Sequence, residues 1–129
     1  MSAWTRSELD KIAAADELEL ASLRPDGRLR DPVTVWVVRH DDDLYVRSVK
    51  GRAGAWFRGA LASHAGRVQA GVERDVTFVE ADDTLRDEID RAYRTKYRRY
   101  AASIVNTVLT ARAQAATLRL VPRERARSK

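Results

Sequence analysis

One segment near the middle of the chain combines cations, a hydroxyl and glycine in an order that suits anion binding. An alternating, strand-like run ends here, and a cationic loop leads into a short helical run over 55–61. Glycine permits close approach of the backbone, the N–H groups at a helix start attract anions, and fixed cations add to that attraction. The pattern therefore predicts a phosphate site. Its candidate residues are Arg47, Ser48, Lys50, Gly51 and Arg52.

Aromatic residues close to this segment could hold a planar ring beside the phosphate. Trp36 and Trp56 are the candidates for its walls, with Tyr45 and Phe57 as further aromatic side chains. A purely structural interpretation is that these aromatics belong to the core while the cations form a solvated rim. The residue types alone leave both interpretations open.

Other kinds of catalytic chemistry find little support in the sequence. The chain has no cysteine, and its two histidines, His40 and His64, stand apart without a partner at ligand spacing. No serine lies in a Gly-x-Ser-x-Gly setting. We therefore predict no metal site and no catalytic side chain, so in an enzyme the reactive atoms would belong to a bound cofactor.

Length and composition limit the architecture. The 129 residues are 44% apolar and 33% charged, which predicts a single domain over 1–122 with one real core. No apolar run approaches the roughly 20 residues of a membrane span, and the first residues lack a secretion-type apolar stretch, so we expect a cytoplasmic protein with no membrane partner. Much of the net charge of +5 lies at the C-terminus, where 123–129 is predicted to be a disordered basic tail. No aromatic residue interleaves there for base stacking, which argues against nucleic-acid binding as a function.

The elements that must position the candidate site follow from hydrophobic periodicity. A capped helix is predicted from Thr5 to about Ala15, a long helix over 84–100 and an Ala-rich helical stretch over 101–116. The run 33–39 is apolar on both faces, which predicts a central strand. Six short strands favour a closed or half-closed barrel, because closure removes exposed edges. The six predicted strands are one beginning at Leu18, 33–39, 44–49, 68–72, 76–79 and 117–121.

Two local motifs resemble those of the split-barrel flavoproteins, which include pyridoxamine-phosphate oxidases and deazaflavin-dependent nitroreductases. In the deazaflavin branch a Gly-Arg-Lys-Ser-Gly hairpin precedes a Pro-led strand, and the segment 24–33 is similar to it at Arg24, Gly27, Arg30 and Pro32. A Ser-x-x-Gly loop followed by an aromatic-led helix is matched at 48–57. The whole chain is still more similar to an uncharacterised bacterial domain-of-unknown-function family attached to this superfamily.

The resemblance implies a mainly β fold: a six-stranded antiparallel split β-barrel of Greek-key type with N-terminal and C-terminal helices. It further implies a homodimer that binds flavin mononucleotide (FMN) or a deazaflavin at the subunit junction and passes hydride or electrons to a small organic acceptor. Arg24 and Arg28 would then extend the cationic patch. Replacing Arg47 and Arg52 with alanine should weaken cofactor binding and leave thermal stability nearly unchanged.

An alternative rests on a departure from the deazaflavin motif. Where that branch has Lys-Ser, this chain has Pro25 and Asp26, which exchange a cation and a hydroxyl for a rigid ring and an anion. The alternative is a non-catalytic split barrel that has lost flavin and binds another anionic small molecule or a protein partner.

Overall fold

The computed structural model of the chain describes residues 3–123. Apart from Arg123, the predicted basic tail lies outside the described residues. Seven strands form one antiparallel sheet in the order β2-β1-β5-β6-β7-β4-β3. The fold is a mainly β, nearly closed barrel-like sheet with several helices, so the predicted fold class is confirmed with seven strands instead of six. The strands are β1 Leu18–Ser22, β2 Val33–Val35, β3 Val37–His40, β4 Asp43–Arg47, β5 Ala65–Gln69, β6 Glu73–Glu80 and β7 Thr117–Pro122.

The extra strand arises because the predicted central strand 33–39 is interrupted at Trp36. Its first part, β2, pairs with β1 at one edge of the sheet, and its second part, β3, pairs with β4 at the other edge. The prediction of a central strand is therefore wrong. Its two apolar faces have another cause: Val37 faces the barrel core, whereas Val38 packs in a second cluster with residues of the helical cover. A strand at the edge of a sheet is apolar on both faces when helices pack on its outer face, because each face is then buried.

Both predicted hairpins are present, and the second one turns earlier than expected. We predicted the turn at Glu73 and Arg74, whereas β5 ends at Gln69 and β6 begins at Glu73. Gly71 occupies the connection with a φ of +75°, a conformation that glycine adopts without a steric penalty. The position of this glycine therefore determines where the chain reverses.

The helices pack against strands near both ends of the strand order, with the second helix on β1 and β5 and the first and third helices on β3. The first, α1, begins with the predicted capping box, in which the Thr5 side chain accepts from the Glu8 N–H and the Glu8 carboxylate accepts from the Thr5 N–H. The predicted helix over 84–100 is shorter than expected, and the stretch 101–116 divides into two short helices because Thr110 caps a new helix there. The helices are α1 Arg6–Ala14, α2 Ala55–Ser63, α3 Arg86–Lys96, α4 Ala102–Val105 and α5 Ala111–Gln114.

Two separate apolar clusters hold these layers together. The larger fills the barrel and includes Leu18, Leu44, Phe57 and Phe78, all essentially inaccessible to solvent. The smaller lies between α3 and the outer face of β3 and β4, around the predicted aromatic candidate Tyr45. Tyr45 and Phe57 are therefore core residues, as the structural interpretation of the aromatics expects for these two side chains. Their burial leaves Trp36 and Trp56, both only half-buried, as the aromatic candidates for a site.

Candidate functional site

A cleft of about 520 Å³ opens where the two edges of the sheet separate at Trp36. Trp36 follows β2 on one edge and precedes β3 on the other, so the cleft lies at the split in the barrel. Its walls are mainly apolar, with the segment between α4 and α5 forming one side. The main apolar lining residues are Val35, Trp36, Val49, Trp56, Ile104 and Val108.

The Trp36 ring is held in place by aromatic packing from behind. It stacks on the Tyr97 ring with a centroid separation of 3.8 Å and an interplanar angle of 4°, and the Tyr100 ring meets it edge-on at 5.2 Å. The Tyr97 hydroxyl in turn donates to the carbonyl of Asp16, at a distance of 2.7 Å. Because its ring plane is already defined, Trp36 presents a preorganised flat surface to the cleft.

At one end of the cleft, the start of α2 meets an unpartnered hydroxyl. The side chain of Ser48 is 1% exposed, and its Oγ has no hydrogen-bond partner. No side chain caps α2, and the first N–H groups of a helix have no intrahelical acceptor. Gly54 immediately precedes this helix, and a Cβ there would lie 2.6 Å from the Ser48 Oγ. The absence of that carbon leaves the hydroxyl room beside the free N–H groups.

The cations of the predicted phosphate site have different surroundings. Lys50 is exposed and lines the cleft. Arg52 lies outside the lining, where it donates to Glu80 at 2.7 Å and to the Ala115 carbonyl at 3.0 Å. Its hydrogen bond lowers the pKa of the Glu80 carboxyl. Gly51 also lies outside the lining, beside Arg112, in a left-handed conformation with a φ of +73°.

Arg47 lines the cleft, although its guanidinium is engaged within the protein. The Nη1 donates to Asp90 at 2.5 Å and to the Val108 carbonyl at 2.9 Å, and the Nε donates to the Thr117 hydroxyl at 2.9 Å. The side chain is 1% exposed. For the joint replacement of Arg47 and Arg52 by alanine, the structure leads us to expect a loss of stability, because Asp90 would remain buried without its charge partner.

Arg24 and Arg28 do not join this cleft. They lie in the turn after β1, where the Arg24 N–H donates to the Arg28 carbonyl at 2.7 Å, and both side chains are exposed. Arg28 pairs with Asp26, whose carboxyl has a pKa lowered mainly by the backbone N–H of Arg28. Of the nine predicted site residues, the cleft brings together Trp36, Arg47, Ser48, Lys50 and Trp56.

Several lining residues are absent from the sequence-based prediction. Glu17 precedes β1, Thr34 lies in β2, and Ile104 and Thr107 come from the helical segment after α3. Gly54 could have been found, because it directly precedes the aromatic-led helix of the motif. The others carry no local signal, since they reach the cleft through strand pairing and helix packing across the chain.

The described residues offer no site for a metal ion. No group of three or more potential His, Cys, Asp or Glu ligands occurs within residues 3–123, and neither histidine lines the cleft. Over the same range, no helix is long and apolar enough to cross a membrane. The lining of the cleft combines mainly apolar side chains with a few polar ones.

The barrel divided at Trp36 and the cleft at that division define a protein of the split-barrel class. Residues 8–120 match the family described as "Uncharacterized protein conserved in bacteria (DUF2255)". The chain belongs to this family, in agreement with the resemblance inferred from the sequence. No curated protein sequence matches the chain.

Solved structures with the same fold extend the comparison. The conserved hypothetical protein Rv2991 from Mycobacterium tuberculosis has a TM-score of 0.62 and 16% identity, with 95% of this chain and 83% of that chain covered. HutZ, a heme storage protein from Vibrio cholerae, has a TM-score of 0.61 and 15% identity, with coverages of 92% and 90%. An FAD-binding protein from Mesorhizobium loti has a TM-score of 0.55 and 15% identity, with coverages of 95% and 92%. F420 reductases share the fold as well. At these identities the likeness establishes the fold alone.

Proposed function

We propose that the cleft binds a phosphate-bearing flavin or deazaflavin. The observation that carries this proposal is the buried, unpartnered Ser48 Oγ beside the uncapped start of α2. A buried hydroxyl without a partner is costly in a folded protein, and an oxygen of a bound phosphate would satisfy both it and the free N–H groups. Lys50 would add a positive charge at the same end. The names of the split-barrel neighbours, which include FAD-binding and F420-linked proteins, support this ligand class.

The ring system would lie against the tryptophan walls. Trp36 is fixed by its stack on Tyr97. Trp56, at the start of α2, forms a second aromatic wall of the cleft. A large planar ligand gains both apolar burial and stacking in such a setting. The volume of about 520 Å³ falls within the usual range for small-molecule and cofactor sites.

A bound flavin or deazaflavin would supply hydride or electron transfer to a small organic acceptor, which is the oxidoreductase activity that we propose. The residues of this chain would bind and orient the ligand, and the apolar walls would exclude water from one of its faces. Arg47 would act indirectly, because its hydrogen bond to the Val108 carbonyl holds the helical segment that forms one wall. Arg52 and Gly51 would shape the loop that carries Lys50.

Heme is disfavoured as the ligand, although one neighbour is a heme storage protein. Heme iron in proteins is usually held by histidine, cysteine, methionine or tyrosine. None of these residue types is among the described lining residues of this cleft. We therefore favour the flavin and deazaflavin cofactors, which bind through phosphate and ring contacts, over heme.

We further propose that a second copy of the chain covers the mouth of the cleft. Within residues 3–123, the large hydrophobic side chains that are exposed are Val49 and Ile104, at 42% and 48%, and both line the cleft. Exposed apolar side chains beside a binding cleft are typical of an interface. Light scattering of the purified protein should give the mass of a dimer, and Ile104→Glu should shift it toward the monomer.

A second candidate function is a non-catalytic module that binds another anionic small molecule. It is favoured by the internal engagement of Arg47 and Arg52, which leaves fewer cations for a flavin phosphate than the sequence predicts. A flavin-free module would retain the anion-binding end of the cleft without stacking a flavin against the tryptophans.

The experiment that separates these functions is a ligand titration of the native protein. Its visible absorption spectrum is recorded first, and FMN and the deazaflavin coenzyme are then added while fluorescence and melting temperature are followed. Saturable binding that raises the melting temperature supports the cofactor proposal. Ser48→Ala should weaken that binding, whereas Ser7→Ala, an exposed serine in α1, should leave it unchanged. A colourless protein with no response to either ligand would favour the flavin-free module.

A further inference from the structure

The charges around the anion-binding end of the cleft differ from those expected of a site for a doubly charged phosphate. Lys50 is an exposed cation of the lining, and within the described residues it has no carboxylate within ion-pair distance. Arg47 also lines the cleft, but its charge is balanced by Asp90. Glu17 adds a carboxylate to another part of the lining, close enough to Tyr97 to add to the rise that burial causes in the pKa of its hydroxyl. The positive charges of Lys50 and Arg47 are therefore matched in number by the negative charges of Glu17 and Asp90.

Two neighbouring cations lie outside the lining of the cleft. Arg52 is paired with Glu80, and its side chain lies outside the lining. Arg112 contacts the loop at Gly51 and is likewise outside the lining. What remains at the start of α2 is a set of neutral donors, the Ser48 hydroxyl and the first N–H groups of the helix, together with the positive end of the helix dipole of about half a charge.

We propose that this site selects a singly charged phosphate, as in a phosphodiester, over the dianion of a phosphomonoester. The inference rests on the proposed function, since it concerns the same ligand and the same site. Neutral donors bind the oxygens of a monoanion and a dianion alike, whereas the second negative charge of the dianion needs a second cation. One exposed lysine and a helix terminus leave that charge uncompensated, and the apolar walls add to its cost.

Three flavins that differ only at the phosphate test this selection. They are FMN, its monomethyl phosphate ester and riboflavin, titrated against the native protein between pH 5 and pH 8. A phosphomonoester loses its second proton near pH 6 and becomes a dianion above it, whereas the methyl ester stays a monoanion. We expect FMN and the ester to bind alike at pH 5, and FMN to bind roughly fivefold more weakly than the ester at pH 8, which corresponds to one charge–charge interaction of about 1 kcal/mol in water.

A pair of variants then separates charge from shape. Val49→Lys places a second cation beside Lys50 and should remove or reverse the preference at pH 8, whereas Val49→Gln changes size without charge and should keep it. Riboflavin reports any pH dependence that comes from the protein alone. A methyl ester that clashes with the site would bind weakly at every pH and in both variants.

The outcomes also distinguish this inference from the function on which it rests. If FMN binds better than riboflavin and gains affinity as the pH rises, the site prefers the dianion, so the inference is overturned and the proposed function survives. If all three flavins bind equally and Ser48→Ala has no effect, the proposed phosphate site is wrong as well. If no flavin binds, titration of phenyl phosphate and methyl phenyl phosphate by NMR measures the charge preference separately. Tighter binding of phenyl phosphate at pH 8 would overturn the inference, and tighter binding of its ester would support it.

Discussion

Arg47 at the end of β4 and Asp90 in α3 form an ion pair of 2.5 Å whose two side chains are 1% and 9% exposed. The same guanidinium reaches the carbonyl of Val108 and the hydroxyl of Thr117, and Gln114 donates to the other Asp90 oxygen at 2.9 Å. This pair therefore connects the barrel to the segment that forms one wall of the cleft. Arg47, which the sequence suggests as a ligand-binding residue, thus links the barrel to its helices in the structure.

Asp90→Asn should lower the free energy of unfolding by about 3–5 kcal/mol, because it leaves the buried Arg47 charge without its partner. Denaturant unfolding monitored by circular dichroism measures the loss. Asp87→Asn, an exposed position in the first turn of the same helix, is the matched control and should lower stability by at most about 1 kcal/mol, through the helix dipole alone. Equal small losses for both variants would show that the ion pair contributes little.

Ser48→Ala should raise the stability of the ligand-free protein, because it removes a buried hydroxyl that has no partner. The expected gain is about 1 kcal/mol, the lower end of the cost of an unsatisfied buried polar group. Differential scanning calorimetry without ligand is the measurement, and the same variant should bind FMN more weakly. A loss of stability would mean that the hydroxyl has a favourable partner in solution.

Gly54→Ala tests the space beside that hydroxyl. The backbone at this position, with φ of −62° and ψ of 138°, suits alanine, so a loss beyond the ordinary N-cap preference for glycine over alanine reflects the 2.6 Å approach of the new Cβ to the Ser48 Oγ. We expect a loss of roughly 1–3 kcal/mol. In the double variant with Ser48→Ala most of this loss should disappear. Additive effects in a double-mutant cycle would contradict the proposed contact.

Trp36→Leu should weaken both the fold and the cleft. Its stack on Tyr97 at 3.8 Å is expected to contribute roughly 0.5–1.5 kcal/mol beyond the apolar area that it buries. Trp36→Phe retains an aromatic ring and should keep a larger share of both stability and ligand affinity. Chemical unfolding and FMN titration of the two variants provide the comparison, and equal behaviour of Leu and Phe would argue against a role for stacking.

Lys96 predicts a specific dependence of stability on pH. Burial lowers its pKa from 10.5 to about 8, while its Nζ donates to the Val37 carbonyl at 2.7 Å. Between about pH 8 and pH 10.5 the unfolded chain therefore binds more protons at this position than the folded protein, and the stability contributed by this group rises with pH. As the pH rises over this interval, the unfolding free energy of the native protein should increase relative to that of Lys96→Met. A difference that is constant from pH 7 to pH 10 would contradict the lowered pKa.

Local features of the chain were predictable from the sequence because short-range interactions determine them. The capping box of Thr5 and Glu8, the two hairpins and the loop before α2 depend on residues a few positions apart. The same holds for the placement of Ser48 and Lys50 at the end of a strand, before a helix with free N–H groups. The alternation of apolar residues was likewise sufficient to indicate a mainly β barrel.

The tertiary structure alone decided which of these residues share a cleft and which are engaged elsewhere. Arg47 meets Asp90 across 43 positions of sequence, and Ile104 reaches the cleft from the helical cover. The interruption of 33–39 at Trp36 likewise depends on distant pairing, because β2 pairs with β1 at one edge of the sheet and β3 pairs with β4 at the other. Such pairings are chosen by the packing and charge compensation of the whole fold, so no local pattern encodes them. The sequence by itself thus determined the chemistry available at the loop, and only the packed barrel decided which of its charges remain free to bind a ligand.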